Sequence, residues 1–527
     1  MVHLSAAETA VLAALTVLSA AAFRRRLQPV LRAILNSRPE PGWTLKPLGP
    51  RLGAFVRGVL LQARVIRERP LPGLAHAMVF WGFCAFVVVT ANHFFSFLSP
   101  DSLYHAVARV LAMIVAAAIA GLAVRRFLVR PRWLGAVSPE SGLVAFLIFA
   151  LMVTYLAGQW WAHTVALLIF LPLIPGTKHL HLLLSPFAVF FRRDGFSRLP
   201  PLDGDEDFGL VAGKDLSRID ALQVFSCVEC GRCTEHCPAH NTGKALNPKE
   251  VVLGLRAYLR DNGPGAEEAL LDRHVSQEAV FQCTTCGACE YQCPVGIQHL
   301  PMILGLRRGA VNTGAWEDDH GSRLFRNLER YGNPLGMAAA EREKFVRKAG
   351  LPVFDGSQKY CLWLGCMGAY DPRGREVVLA LKSVLDRLGV SYGVLKKEHC
   401  TGDAVRRLGN DLLFGQLTEF NLEQFRLAGV KKLLSICPHC VRTIAEDWRE
   451  FGAAVEIEHH SEFLARHAVK APGGGKIVFH DPCYLGRYRG IYDAPRAVAD
   501  LVAPKRTRQR SFCCGAGGGL SFLGDEK

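Results

Sequence analysis

Apolar runs dominate the first 190 residues, and the rest of the chain alternates short apolar stretches with charged ones. Five runs, at 6–23, 74–97, 103–124, 141–161 and 163–190, are each long enough to cross a bilayer as a helix. The fifth contains Pro172 and Pro175, which predicts a kink. A signal peptide carries its basic residues ahead of its apolar core. Here the basic cluster at 24–26 follows the core, so the first run reads as a true span. A polar stretch at 192–215, with Pro200 and Pro201, reads as a connection. Helical periodicity marks 248–259, and the charged region 316–348 also reads as helical. From 359 the pattern turns β-α-β. Strands are predicted at 360–364 and 432–436, helices at 375–388 and 412–427, and a strand at 476–480 starts the arrangement again.

Charge sets the expected orientation. The chain is half hydrophobic yet carries a formal charge of +15, an odd pairing for one soluble globule. The stretch 24–69 holds eleven Lys and Arg against only Glu40 and Glu68. Arg125, Arg126, Arg130 and Arg132 follow the third span, and Arg192 and Arg193 follow the fifth. The connections near Pro100 and Trp161 have neither Lys nor Arg. The positive-inside rule therefore predicts a multi-pass protein of the bacterial inner membrane, N-terminus outside and everything after the fifth span cytoplasmic. Much of the basic excess is thus topogenic; membrane lipid is an expected partner, and no nucleic-acid partner is needed.

The 17 Cys fall mostly into ligand spacings rather than a disulfide pattern, which suits a reducing compartment. Cys227, Cys230, Cys233 and Cys237 form a C-x2-C-x2-C-x3-C-P run closed by Pro238, and Cys283, Cys286, Cys289 and Cys293 form another closed by Pro294. In two-cluster ferredoxins three thiolates of each run hold one [4Fe–4S] cube, and the fourth crosses to the other. The expected ligand sets are Cys227, Cys230, Cys233 and Cys293, and Cys283, Cys286, Cys289 and Cys237. Zinc knuckles or a disulfide framework are the alternative. Cys84 and Cys361 lie outside any such motif, and Cys84, within an apolar run, is expected in the core.

Ionisable groups inside a span mark function by default. His76 opens the second span and His93 lies near its outer end, while His163, His179 and His181 lie on the fifth. In one continuous helix His163 and His181 are five whole turns apart and share a face, and His179 points roughly 200° away from His181. His76 and His181 would then meet at the cytoplasmic level as a bis-His haem b site. An outer haem on His163 with His93 or His105 is a further option, and interfacial histidines bonded to lipid head groups are the plain alternative. The string from His181 to Pro186, with His163 upstream, resembles the haem-bearing fifth helix of the respiratory nitrate reductase gamma subunit. That family has a second ligand ten residues after the first on its second helix. Phe86 stands there in this chain, so the resemblance implies the inner haem and not the outer one.

In the last third, Cys366, Cys400, Cys437 and Cys440 sit at predicted strand ends, and Cys483, Cys513 and Cys514 recur at similar spacing: 34 residues from Cys366 to Cys400, 30 from Cys483 to Cys513. This repeat resembles the CCG domain of the heterodisulfide reductase family, which implies iron–sulfur binding, in some members as a non-cubane cluster. The first repeat has Thr401 and Gly402 after Cys400, leaving four thiolates, which suit an ordinary cubane cluster or zinc. The second keeps Cys513, Cys514 and Gly515 but lacks a Cys-x-x-Cys, as if the sequence stopped in mid-domain at Lys527.

The expected organisation is multidomain: a five-helix transmembrane haem b bundle at 1–195, a linker at 196–214, a helical two-[4Fe–4S] ferredoxin domain at 215–313, a helical connector at 314–354, and α/β CCG repeats at 355–470 and 471–527. Cys437-Pro-His-Cys440, the segment from Glu398 to Asn410 and His459-His460 resemble a narrower family. These are membrane-bound iron–sulfur oxidoreductases that take electrons from electron-transfer flavoprotein, reduced by acyl-CoA oxidation, and reduce menaquinone. Two rivals remain: a heterodisulfide-reductase-type disulfide reductase, and an electron-relay subunit for a lactate or glycolate dehydrogenase. The chain has no dinucleotide or Walker A loop, so two-electron chemistry belongs to a partner and a quinone.

Overall fold

The structure is a computed structural model, which describes residues 4–95, 99, 102–131, 138–201, 204, 207–471 and 477–524. Arg132, Lys476 and the end of the predicted second span lie outside these residues.

Among the described residues, four helices are long and apolar enough to cross a membrane: Ala6–Asn36, Pro70–Phe95, Leu103–Val129 and Pro139–Leu156. The first is longer than its apolar run because its amphipathic extension packs Val30, Ala33 and Ile34 into the soluble core. The predicted fifth span is not one helix. Trp160–Gly176 runs through both prolines, and the chain then bends by 86° into Lys178–Phe191. Proline at 172 frees the carbonyl four residues back, and Ser19 Oγ of the first helix donates to Leu168 O at 2.7 Å. The helix therefore survives there. It ends where Thr177 turns extended and its Oγ1 caps His179 N. Seventeen residues rise about 25 Å, short of a full bilayer core.

In spans that are apolar on every side, apolarity does not predict the interior. Cys84 shows this: it is exposed on the outer face of its helix rather than in the core, while Cys361 is buried in the central strand of the soluble sheet.

The connection to the soluble half is packed. Arg193 is buried, and its guanidinium donates to Glu40 at 2.6 Å and Asp220 at 2.8 Å, tying the segment after the first helix, the connection and the ferredoxin domain together. Burial opposes the charge, but Asp220 and Glu40 outweigh it and raise the Arg193 pKa. The ferredoxin domain is all short helices around two longer ones, Pro248–Asp261 and His299–Asn312. Asn247 caps the first of these, next to the helical stretch expected from periodicity.

The cysteine-rich part is an α/β layer. Four parallel strands, β1 Tyr360–Trp363, β2 Tyr392–Gly393, β3 Lys432–Ser435 and β4 Glu456–His459, lie in the order β2-β1-β3-β4. Helices Pro372–Arg387 and Asp411–Ala428 fall where periodicity predicts them. The chain turns outward in opposite directions from β1 and β3, so the gap between them is a topological switch point, where α/β sheets bind ligands. Cys366 follows β1, and Cys437 and Cys440 follow β3. Among the described residues of the second repeat, β5 Ile477–Val478 and β6 Leu501–Val502 pair in parallel.

A buried charge network holds this layer. Arg407 pairs with Asp403 and with Asp447, and Asp447 also takes Arg442. Removing one partner leaves uncompensated buried charge, so Arg407→Ala is expected to cost about 3–5 kcal/mol. Denaturant unfolding of the purified protein should show this; a change within experimental error would mean the network is replaceable.

Candidate functional site

The two ferredoxin runs fold alike. Val228 and Glu229 follow the first Cys of one run, Thr284 and Thr285 that of the other. Glu229 and Thr285 both adopt a left-handed backbone (φ 56° and 50°), as do Gly231 and Gly287 (φ 74° and 72°). A non-glycine residue in that region is uncommon, and its recurrence at matched positions marks a loop shaped around something. Amide protons point at sulfur: Thr285 N donates to Cys283 Sγ and Ile297 N to Cys293 Sγ, each at 3.3 Å.

The thiols gather in crossed sets. Cys293 neighbours Cys227 and Cys230, while Cys237 neighbours Cys283 and Cys286. Cys289 lies beside Cys283, Cys286 and Cys237, and Cys233 beside Cys230, Cys227 and Cys293. Burial pushes Cys227 and Cys237 up to about 12, and Cys283 and Cys293 up to about 11. Thiolates in such a place need a strong local positive charge, which bound iron supplies. Among the described residues no three His, Cys, Asp or Glu side chains converge on a single-ion position. The two matched Cys runs, with their thiols in crossed sets, fit clusters of the ferredoxin kind.

In the first cysteine-rich repeat, Cys366, Cys400, Cys437 and Cys440 come together at the switch point. Thr401 is buried, and its Oγ1 lies 3.9 Å from Cys440 Sγ, so a hydroxyl faces the sulfurs where the CCG pattern has a further thiol. A hydrogen bond from Cys440 lowers Cys437 to about 6, against the effect of burial. His439 pairs with Asp403 at 2.7 Å and stacks on Tyr484 of the second repeat, ring centroids 4.1 Å apart.

The second repeat docks on the ferredoxin domain. Cys513 packs against Cys286 and Cys483, with Cys514 beside it. The Cys513 thiol lowers Cys286 to about 6, with burial opposing and Arg487 assisting. Tyr484 Oη lies 2.8 Å from Thr285 Oγ1, and a Cβ on Gly518 would meet Cys283 O at 2.3 Å. Arg307, fully buried, donates to Cys283 O, Arg407 O and Gly518 O at 2.7, 2.8 and 3.0 Å, joining three parts of the soluble half at one side chain. Gly409 permits the approach, since a Cβ there would lie 2.6 Å from Arg308 N. None of these contacts was legible in the sequence. Arg307 looks like any other basic helix residue in the sequence.

At the membrane end His76, His179 and His181 line one apolar cavity of about 400 Å³. The bend at Thr177 is the reason His179 joins them: the roughly 200° separation holds only for a continuous helix. His181 Nδ1 faces Lys178 O at 2.7 Å, which leaves Nε2 free to bind a metal. His76 Nδ1 and His179 Nδ1 are buried without hydrogen-bond partners. These donors and the cavity's size fit a haem. Of the outer histidines, His163 lines the same cavity, and its Nδ1 faces Leu151 O at 3.0 Å. His93 Nε2 bonds Thr164 Oγ1 at 2.6 Å, and its ring is 5.2 Å from that of His163. Both nitrogens of His105 are taken, by Asn92 and Tyr155. Cys230, Arg232 and Pro294 of the ferredoxin domain line a second cavity that also reaches His76 and His181.

Residues 223–297 match the family model of a 4Fe-4S dicluster domain, and residues 360–445 and 477–525 that of a cysteine-rich domain. Together with the apolar helices, they define a membrane-associated iron–sulfur oxidoreductase. Over 575 residues the chain is 31% identical to EtfAB:quinone oxidoreductase of Syntrophomonas wolfei, covering 88% of this chain and 80% of that protein. It therefore belongs to that protein's family. It is also 35% identical over 442 residues to the probable iron-sulfur-binding oxidoreductase FadF of Bacillus subtilis, covering 72% of this chain and 62% of FadF. Over 337 residues it is 29% identical to a subunit of the dihydromethanophenazine:CoB--CoM heterodisulfide reductase of Methanosarcina barkeri, covering 58% of this chain and 81% of that polypeptide. No solved structure matches the chain.

Proposed function

We propose that this protein passes electrons from reduced electron-transfer flavoprotein to menaquinone, using iron–sulfur clusters on the two ferredoxin sets and the cysteine-rich repeats and a haem b between His76 and His181. When bound, these groups supply single-electron transfer. The chain's own residues hold them, bury them and set their order. The observation that carries the reading is continuity. Cys286 of the second ferredoxin set touches Cys513 of the cysteine-rich half, and Cys230 of the first set lines the cavity that reaches His76 and His181. The relative named EtfAB:quinone oxidoreductase supplies the expected donor and acceptor.

The test is stopped-flow absorbance of the full-length protein under anaerobic conditions. Reduced electron-transfer flavoprotein should reduce the haem, acyl-CoA alone should not, and a menaquinone analogue should reoxidise it. Haem reduction by a lactate dehydrogenase flavin, with none from electron-transfer flavoprotein, would replace this reading with the relay. Disulfide turnover without quinone would replace it with the reductase, the reading favoured by the likeness to the methanogen heterodisulfide reductase.

A further inference from the structure

The apolar cavity of about 400 Å³ does not end at the histidines. It shares His76, Phe80, Leu122, His179, His181 and Leu182 with the neighbouring cavity of about 300 Å³, which opens toward the ferredoxin domain. The two differ sharply in character. The larger is walled by side chains such as Phe86, Leu151 and Phe170. The smaller is rich in cations, among them Arg126, Lys178 and Arg232, against one carboxylate, Glu229, which is itself paired with Arg256. Among the described residues, Lys178 Nζ meets only the neutral Ser141 Oγ, and Arg232 only the backbone carbonyls of Arg64 and Val65. Arg126 Nε and Ser185 Oγ, both on this wall, are buried with no hydrogen-bond partner.

An excess of cations over anions is costly even where, as at Arg126 and Lys178, the side chains are only half-buried, and so are buried donor atoms without an acceptor. A quinone head offers two neutral carbonyl acceptors and leaves that excess uncompensated. A ligand with a flat apolar body and carboxylates at one edge satisfies both cavities at once. We infer that the two cavities form a single amphipathic haem site, with the macrocycle in the apolar part and its two propionates held by Arg126, Lys178 and Arg232. The inference rests on the haem in the proposed function and adds the residues that orient it. Its edge then faces Arg232, which stands between Cys230 and Cys233 in sequence, so the groups that hold the carboxylates also join the membrane half to the first ferredoxin set.

The experiment is a titration of haem-depleted full-length protein with haem and with haem dimethyl ester, followed by Soret absorbance, with iron–sulfur content measured as a fold control. Wild type should bind haem about tenfold or more tightly than the ester, because charge-assisted contacts to the propionates are lost on esterification. Arg126→Gln should weaken haem binding severalfold and should narrow the preference for haem over the ester, with Lys178 and Arg232 still in place. Arg126→Lys should recover most of the preference. Equal binding of haem and ester by wild type, or an Arg126→Gln variant that keeps the full preference, would overturn the inference while leaving the haem reading intact. A wild-type protein that binds neither would overturn the haem reading itself.

Discussion

Replacing Cys237 with Ser should damage the cluster of the second run, not that of the first. Cys237 follows Cys227, Cys230 and Cys233 in sequence, yet its thiol neighbours Cys283 and Cys286. Pro238 opens a short helix just after it, which swings the chain away from its own run. Burial raises the Cys237 thiol to about 12, and amides of His240 and Ala239 work against that rise, as donors aimed at a thiolate would. A serine oxygen there is a poorer ligand for a soft iron–sulfur cluster than the thiolate it replaces. The expected result is loss or conversion of one of the two ferredoxin-type [4Fe–4S] EPR signals. Cys283→Ser should affect the same signal and Cys227→Ser the other one. Cys293→Ser should behave like Cys227→Ser. A Cys237→Ser protein whose damaged signal matches that of Cys227→Ser would show that each run keeps its own fourth ligand.

The second large effect concerns the haem. His181→Ala and His76→Ala should each abolish the b-type absorbance, since bis-His ligation fails when either side is lost. His181 is the better prepared of the two, because its Nδ1 bond to Lys178 O fixes the tautomer and turns Nε2 away from the backbone. His179→Ala is the deciding arm. Its ring lies 5.9 Å from that of His181, tilted by 52°, and edge-on to Phe170. A retained band in His179→Ala supports the pair His76 and His181. A lost band there, with the band kept in His76→Ala, moves the axial pair to His179 and His181. An unchanged spectrum in His181→Ala removes the haem from this position altogether.

The sequence by itself determined what depends on local periodicity and ligand spacing. The two C-x2-C-x2-C-x3-C-P runs demand loops that wrap a cluster, and the left-handed turns at Glu229 and Thr285 are how this backbone provides them. Strands β1 and β3 and helices Pro372–Arg387 and Asp411–Ala428 were readable because alternation and 3.6-residue periodicity are properties of a dozen neighbouring positions. The tertiary structure decided whatever depends on a distant partner. Whether Pro172 breaks its helix turns on whether the freed carbonyl finds a donor, and Ser19 lies on another span. That placed the bend at Thr177 and brought His179 into the cavity with His181. Cys84 faces outward because a span that is apolar all round carries no mark of which side packs. The meeting of Cys286 with Cys513, and Arg307 at the centre of three parts of the soluble half, follow from docking surfaces whose residues look ordinary until they are buried together. Spacing is recorded along the chain; burial and encounter are properties of the folded whole.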